Sequence, residues 1–287
     1  MSAVLSPSRI SESEETIRCG EQSLHRIRVR PAAPWAHLAL LHGYGEHSGR
    51  HRHVLRWLAE RGVEGHALDF RGQGRSSGRR GFVRDWHDYR EDVEALLRCE
   101  GLRAEDRGDT PLFLLGHSHG GLVLADALEH GLSEMAGCIL CAPYLRTRFQ
   151  VPAYKTWLAR VVDPLLPWLP IPTGLKGDWM SSDDEMRSES GHDPYILPIA
   201  TPRWYLGCVR AQEETLRHAG DLRQPLLVLM GEDDPVADPA AARELYEAAG
   251  SRDKTYRSYP GLLHELLRER ERERIFQEIL DWMRARA

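Results

Sequence analysis

Asparagine is absent from this chain of 287 residues, and lysine occurs only at Lys155, Lys176 and Lys254. Without asparagine there is no acceptor for N-linked glycosylation and no Cys-His-Asn catalytic site of the papain kind. Long apolar runs are missing too, since no stretch approaches the roughly 20 apolar residues of a membrane span. Residues 1–16 are rich in serine and glutamate and lack the apolar segment of a signal peptide, so we expect a cytoplasmic protein.

The charge and the cysteine content exclude two further classes of protein. A net charge of −5 does not give the basic patch of a nucleic-acid-binding protein, so we expect no nucleic-acid partner. The five cysteines are odd in number and too sparse for a disulfide framework. Cys138 and Cys141 have the C-x-x-C spacing of redox proteins, but they lie in an apolar run typical of a buried strand, which favours packing.

We expect neither a metal nor an organic cofactor. Four histidines are close together in sequence, but no cysteine or paired carboxylate joins them at the spacing of a zinc site: His42, His47, His51 and His53. His264 and Glu265 begin like the H-E-x-x-H motif of zinc proteases, yet Arg268 stands where the second histidine would be. The glycine motifs that bind dinucleotides and nucleotide phosphates do not occur.

Short apolar runs alternate with longer amphipathic stretches along most of the chain. The apolar runs predict strands at residues 37–41, 63–69, 112–115, 137–141 and 225–230. Since these strands are apolar on both faces and alternate with helical patterns, they predict an α/β fold. Its sheet should be mostly parallel and covered by helices on both faces.

This alternation stops between about residues 145 and 204, where prolines and tryptophans are concentrated. The composition favours an inserted segment of short helices broken by proline. We therefore predict a flexible N-terminal tail over residues 1–16 and an inserted helical cap or lid over residues 145–204. The α/β core would consist of residues 17–144 and 205–287, and core and cap would form one functional unit.

Residues 116–120 (GHSHG) match the G-x-S-x-G pattern of a nucleophile elbow. They follow the predicted strand at 112–115 and open a predicted helix, which is the setting that this motif requires. In such an elbow the serine lies on a sharp turn with its hydroxyl off the sheet edge, and glycines flank it because the strand and helix backbones approach closely. Ser118 is therefore the candidate nucleophile.

A serine nucleophile needs a base, and the base needs an orienting carboxylate. In this kind of elbow the chain order is Ser, then Asp or Glu, then His. Of the histidines after Ser118, only His264 lies in a loop between the last strand and the last helix, so it is the candidate base. The acid should follow a strand, as residues 231–238 do, but spacing alone leaves both Asp233 and Asp234 open.

Two backbone N–H groups should form the oxyanion hole. One belongs to His119, the residue after the nucleophile, and the other comes from a loop after an early strand. Residues 42–45 (HGYG) form that loop, and the Tyr44 N–H is its natural donor.

Five segments together resemble the α/β-hydrolase family of monoacylglycerol lipases and lysophospholipases: residues 42–50 (HGYGEHSGR), 69–76 (DFRGQGRS), the elbow, 231–236 and 262–266. The resemblance extends from about residue 17 to the C-terminus and is weakest in the insertion. It implies the α/β-hydrolase fold, Asp234 as the acid, and a cap that forms a tunnel for a lipid. It also implies hydrolysis of a single-chain acyl ester such as a monoacylglycerol. His119 departs from the family, in which methionine is usual, but its backbone role is unaffected. Its side chain could bind a polar head group or pack, and we expect it to pack.

The cap is densely apolar between residues 157 and 171. We expect most of its apolar side chains to pack onto the core and some to line an acyl-binding tunnel or to contact a membrane or lipid aggregate. The candidates for substrate binding are Trp157, Leu158, Leu165 and Trp168.

Other functions remain open from the sequence. A lysophospholipase or a broad short-chain carboxylesterase is the main alternative. An aminopeptidase would require acidic cap residues placed to bind an amine, and Asp183, Asp184, Glu185 and Glu189 are more simply an exposed polar loop. A non-catalytic binding protein predicts a broken triad, whereas every member has a candidate here.

Overall fold

The computed structural model describes residues 10–287. Its strands are β1 (Ser11–Cys19), β2 (Gln22–Arg30), β3 (Ala36–Leu41), β4 (Val63–Leu68), β5 (Leu112–His117), β6 (Gly137–Cys141), β7 (Ile171–Pro172), β8 (Ile199–Ala200), β9 (Leu226–Gly231) and β10 (Lys254–Tyr259). Eight of them form one sheet in the order β1-β2-β4-β3-β5-β6-β9-β10. The two remaining described strands, β7 and β8, pair with each other outside it.

Nine described α-helices connect and cover these strands. They are α1 (Arg52–Ala59), α2 (His87–Leu97), α3 (Ala104–Arg107), α4 (His119–Glu129), α5 (Ala153–Val162), α6 (Asp184–His192), α7 (Pro202–Arg217), α8 (Pro239–Ala248) and α9 (Arg272–Arg284). Short 3₁₀ turns occur at Ser48–His51, Gly177–Trp179, Ala219–Asp221 and Leu266–Arg268.

In the order of the sheet the strands are parallel from β4 to β10, and β2 runs antiparallel to both of its neighbours, β1 and β4. All residues of β3, β5 and β9 are buried, because one apolar cluster with α2, α4, α7 and α8 covers one face and a second with α1 and α9 covers the other. The predicted mostly parallel sheet with helices on both faces is thus confirmed. Its carboxyl-terminal edge is where the loops of a functional site meet.

The predicted flexible tail over residues 1–16 is wrong for residues 11–16, which belong to β1; residues 1–9 lie outside the described part. β1 pairs with β2 along its whole length. Most of its side chains are polar and exposed, so the apolar pattern that reveals buried strands is missing. Backbone pairing with β2 holds β1 in place, and ion pairs at the surface link it to other elements, among them Glu12 to Arg56 at 2.8 Å and Glu14 to Arg75 at 2.5 Å.

Between β6 and α7, none of the described residues joins the eight-stranded sheet. This part of the chain contains α5, α6 and the short antiparallel pair β7 and β8. It lies where the sequence predicts a cap, and the boundaries at residues 145 and 204 stay predictions. No described helix has both the length and the apolar character needed to cross a membrane.

Candidate active site

Ser118 lies in a strained turn between β5 and α4. Its φ of 52° and ψ of −116° fall in a region that non-glycine residues rarely adopt, which is how strain is stored at functional sites. A Cβ on Gly116 would collide with the Gly120 carbonyl, and one on Gly120 would collide with the Leu41 carbonyl. Only glycine therefore allows α4 to approach β5 and β3 so closely, and the Ser118 side chain is presented at the edge of the sheet.

Ser118, His264 and Asp234 form one hydrogen-bonded chain. The His264 Nε2 lies 2.8 Å from the Ser118 Oγ, and the His264 Nδ1 lies 2.7 Å from the Asp234 Oδ2. An ionised carboxylate can only accept, so Nδ1 carries the proton and Nε2 accepts from the serine hydroxyl. All three side chains are buried.

The loops after β9 and β10 fix the acid and the base. The Asp234 Oδ1 accepts from the Val236 N–H at 2.7 Å and the Ala237 N–H at 2.9 Å, leaving Oδ2 for His264. Burial by itself lowers the pKa of His264, but the Asp234 carboxylate outweighs it, and the pKa is raised above its usual value. Asp233 is exposed. The structure therefore places Asp234, and not Asp233, beside the histidine.

The loop after β3 lies directly against the elbow. A Cβ on Gly43 would be 3.3 Å from the Ser118 Cβ. Among the described residues 10–287, the Tyr44 N–H has no hydrogen-bond acceptor. His119 is the first residue of α4, where the N–H groups lack partners within the helix. One predicted oxyanion donor is thus on a loop that adjoins Ser118, and the other is the first residue of the helix that follows Ser118.

The His119 side chain packs, as the sequence predicts. It is fully buried and makes edge-to-face contacts with four aromatic rings, of which Tyr89 is nearest at 4.7 Å between centroids; the others are Tyr44, Phe70 and Trp86. Burial lowers the pKa of His119 to about 3, so the ring is neutral.

The sequence did not predict a buried polar network that Arg50 forms with Glu46 and Glu265. The Arg50 Nε donates to Glu46 at 2.9 Å, and the Arg50 Nη2 donates to both oxygens of Glu265 at 2.7 Å. The network joins the loop after β3 to the loop that carries His264. Glu46 and Arg50 lie within the motif at residues 42–50, but no sequence pattern indicates that Arg50 pairs with a residue 215 positions away.

The inserted segment contacts both catalytic loops. The Leu197 N–H donates to the Gly45 carbonyl at 2.7 Å, and the Glu265 N–H donates to the Met180 carbonyl at 2.6 Å. His47, on the loop after β3, pairs with Asp193 at 2.7 Å. Ser118 is only 8% exposed, so the reacting hydroxyl is shielded from bulk water.

The expectation that most apolar residues of the cap pack onto the core is wrong. Trp157 is 64% exposed and Leu165 77% exposed, and Leu158 and Trp168 are exposed as well. The physical reason is that α5 packs against α7 with a narrow face, on which Ala159 is the one buried residue of α5, so its large apolar side chains remain at the surface. The four candidate substrate-binding residues therefore belong to an exposed apolar surface, which we call the cap surface.

The described residues offer two groups that could hold a metal by spacing alone: His37 with Glu64 and His66, and Asp126 with Glu129 and His130. In each group an arginine already binds a carboxylate that a metal would need. Arg28 donates to Glu64 at 2.6 Å, and Arg90 donates to both oxygens of Asp126 at 3.1 and 3.2 Å. Neither group lies on the loops that carry the triad.

Comparison with known proteins relates this geometry to a family. Residues 32–271 match the family described as serine aminopeptidase, S33. The chain is 31% identical to the monoacylglycerol lipase of Mycolicibacterium smegmatis, over 92% of this chain and 93% of that protein. It is 27% identical to phospholipase YtpA of Bacillus subtilis, over 85% and 93%. It is also similar to the crystal structure of Paleococcus ferrophilus monoacylglycerol lipase, with a TM-score of 0.83 and 25% identity over 92% and 99%.

Proposed function

Because the chain belongs to the serine aminopeptidase S33 family of α/β-hydrolases and is an ester hydrolase, we propose that it cleaves single-chain acyl esters through an acyl-enzyme on Ser118. The observation that carries this proposal is the chain of short hydrogen bonds from Ser118 through His264 to Asp234, at a strained elbow. Monoacylglycerol is the substrate type we propose, because the M. smegmatis relative is named for it.

In the first half of the reaction the Ser118 Oγ attacks the ester carbonyl while the His264 Nε2 takes the hydroxyl proton. Asp234 holds the imidazole in the required tautomer and stabilises the imidazolium that forms. The Tyr44 and His119 N–H groups donate to the oxygen that becomes negative in the tetrahedral intermediate. When the intermediate collapses, the C–O bond to the alcohol breaks and His264 returns the proton to the leaving alcohol.

In the second half, water attacks the acyl-enzyme. His264 takes a proton from the water, a second tetrahedral intermediate forms against the same two N–H groups, and the Ser118 Oγ leaves with the proton from His264. The products are the fatty acid and the free enzyme. No cofactor enters either half, since every proton that moves is held by Ser118, His264, water or the alcohol.

The cap surface supports a lipid-like substrate. Large exposed apolar patches mark sites of interaction with other molecules, and we propose that the cap surface contacts a membrane or lipid aggregate from which the substrate is taken. The similarity to phospholipase YtpA supports a second candidate function, in which the substrate is a lysophospholipid. A broad short-chain carboxylesterase is the other alternative.

An aminopeptidase, which the family description names, is less well supported. Binding a substrate ammonium group requires a free carboxylate near the serine. Glu46 and Glu265 adjoin the site loops, but Arg50 already engages both of them.

A series of acyl esters tests the proposed substrate. We expect kcat/KM for 1-monoacylglycerols to rise from acetyl to palmitoyl and to exceed that for lysophosphatidylcholine of the same chain. We also expect activity to increase when the ester passes from monomers to micelles, since the cap surface can then contact an aggregate. Highest kcat/KM for acetyl and butyryl esters would indicate a short-chain carboxylesterase, and preference for lysophosphatidylcholine would indicate a lysophospholipase.

A further inference from the structure

His42 is a buried histidine that the proposed proton transfers do not use. It follows β3 directly and is fully buried. Its Nδ1 lies 2.6 Å from the Gly43 carbonyl oxygen, and its Nε2 lies 3.0 Å from the Phe70 backbone nitrogen. A backbone N–H can only donate, so Nε2 is unprotonated and Nδ1 carries the hydrogen that is donated to the Gly43 carbonyl.

The protonation state of His42 is fixed by its surroundings. Burial lowers its pKa, although the carboxylates of Asp69 and Glu46 act in the opposite direction. The ring is therefore neutral, and its single N–H is committed to Gly43. A base would need a free nitrogen, so His42 is not placed to exchange protons with a substrate.

The Gly43 carbonyl and the Tyr44 N–H belong to the same peptide group. None of the described peptide bonds is cis, and a trans peptide is planar, with its C=O and N–H pointing in opposite directions. A hydrogen bond that holds the carbonyl therefore also sets the direction of the N–H. The His42 side chain therefore binds the carbonyl of the same peptide group whose N–H is the proposed oxyanion donor.

The two neighbouring N–H groups of this loop are occupied. The Gly43 N–H donates to the Glu46 Oε1 at 2.6 Å, and the Gly45 N–H donates to the Gln73 Oε1 at 2.7 Å. Both acceptor side chains are buried. Of the three consecutive N–H groups in this described loop, only that of Tyr44 remains available, and Gly43 adjoins Ser118.

We propose that His42 is a positioning residue of the oxyanion hole: its Nδ1–H holds the Gly43–Tyr44 peptide so that the Tyr44 N–H faces the substrate oxygen. This role rests on the proposed function, in which that N–H stabilises the tetrahedral intermediate. Removing an oxyanion donor costs about 10²- to 10³-fold in kcat. The effect of a misdirected donor should fall on kcat and not on KM, because the ester carbonyl carries little negative charge before attack.

Two substitutions of His42 separate positioning from packing. In His42→Asn the amide nitrogen can replace Nδ1 and donate to Gly43, whereas the acceptor for Phe70 is lost. In His42→Gln the longer side chain can accept from Phe70 near the place of Nε2, whereas the donor to Gly43 is lost. Each variant loses one buried hydrogen bond, so the two should be destabilised to a similar extent, as thermal unfolding will show.

We expect kcat for a soluble ester to be at least about tenfold lower in His42→Gln than in His42→Asn, with similar KM values. The inhibition constant of a trifluoromethyl ketone, whose serine adduct carries an oxyanion, should rise in His42→Gln in proportion to the loss of kcat. A packing role predicts instead that kcat follows the unfolding temperature in both variants. Equal kcat values in the two folded variants would overturn the inference.

The wild-type protein offers a test that does not depend on the variants folding. With ¹⁵N-labelled histidine, the His42 ring should show a neutral imidazole protonated at Nδ1, and protonation at Nε2 would overturn the inference. Failure here is distinct from failure of the proposed function. If Ser118→Ala is inactive while the His42 variants have equal kcat, only the role of His42 is wrong; if Ser118→Ala is active, the mechanism itself is wrong.

Discussion

Replacing Ser118 or His264 by alanine is expected to lower kcat for ester hydrolysis about 10⁴- to 10⁶-fold. Ser118→Ala removes the attacking oxygen, and His264→Ala removes the base that lies within hydrogen-bond distance of it, 2.8 Å away. Because the two side chains act as one unit, the double variant should be no slower than either single variant.

The matched control is Ser133→Ala, which changes an exposed serine beyond the end of α4. It should hydrolyse p-nitrophenyl esters at the wild-type rate. Folding of each variant can be checked by circular dichroism. Ser118→Ala removes a single buried oxygen, so we expect its spectrum to match that of the wild type. Near-wild-type turnover in folded Ser118→Ala or His264→Ala would show that the reaction does not use this triad.

Asp234→Asn is expected to reduce kcat about 10⁴-fold, whereas Asp233→Asn should have little effect. The Asp234 Oδ1 is occupied by two backbone N–H groups, so an asparagine would keep its oxygen there and turn its NH₂ group toward His264. That group donates, and the imidazole would have to accept at Nδ1 and carry its proton at Nε2. The nitrogen beside Ser118 would then be unable to take the hydroxyl proton.

The dependence of kcat/KM on pH gives a second measure of the contact between Asp234 and His264. Neutral His264 is the active base, so kcat/KM rises with pH through the pKa of His264, which Asp234 holds above its usual value. Removing the carboxylate lowers this pKa, and the acid limb of the residual activity in Asp234→Asn should move to lower pH. A large loss in Asp233→Asn with a small one in Asp234→Asn would place the acid one residue earlier.

The strands of the core and the nucleophile elbow can be predicted from the sequence because both depend on residues that are adjacent in the chain. Buried parallel strands such as β3, β5 and β9 are continuous apolar runs, and the elbow at Ser118 requires glycines at fixed positions in a strand-to-helix turn. Spacing could not choose between Asp233 and Asp234, because either can follow β9. The choice depends on which side chain the turn directs inward, and the structure buries Asp234 and exposes Asp233.

The features that the sequence missed depend on contacts between distant residues. β1 is held by backbone pairing with β2 and by arginines of other elements, so its own polar pattern gives no signal. The bonds of Arg50 to Glu265 and of His42 to Phe70 link loops that meet only in the folded chain. The exposure of Trp157 and Leu165 could not be predicted, since an apolar run looks the same whether it faces a core or a lipid.

The names of the family and of the relatives indicate hydrolysis of different bonds. The family description names a peptidase. The M. smegmatis relative, which this chain matches over 93% of that protein, is named a monoacylglycerol lipase. Acyl transfer to a serine can precede either reaction, but an aminopeptidase must also bind the free α-ammonium group of the residue that becomes the acyl part. In this chain Arg50 engages the acidic side chains of the site loops, which favours an acyl group without a charged amine.

The most direct test of the acyl-enzyme mechanism is labelling with a fluorophosphonate, followed by peptide mapping. The reagent forms a covalent adduct only with a serine that is activated as a nucleophile. We predict stoichiometric labelling of the tryptic peptide that spans residues 108–146, with the label on Ser118 and not on Ser133, the other serine of that peptide. Labelling should disappear in Ser118→Ala. A label on another residue, or undiminished labelling in folded Ser118→Ala, would contradict the assignment of Ser118 as the nucleophile.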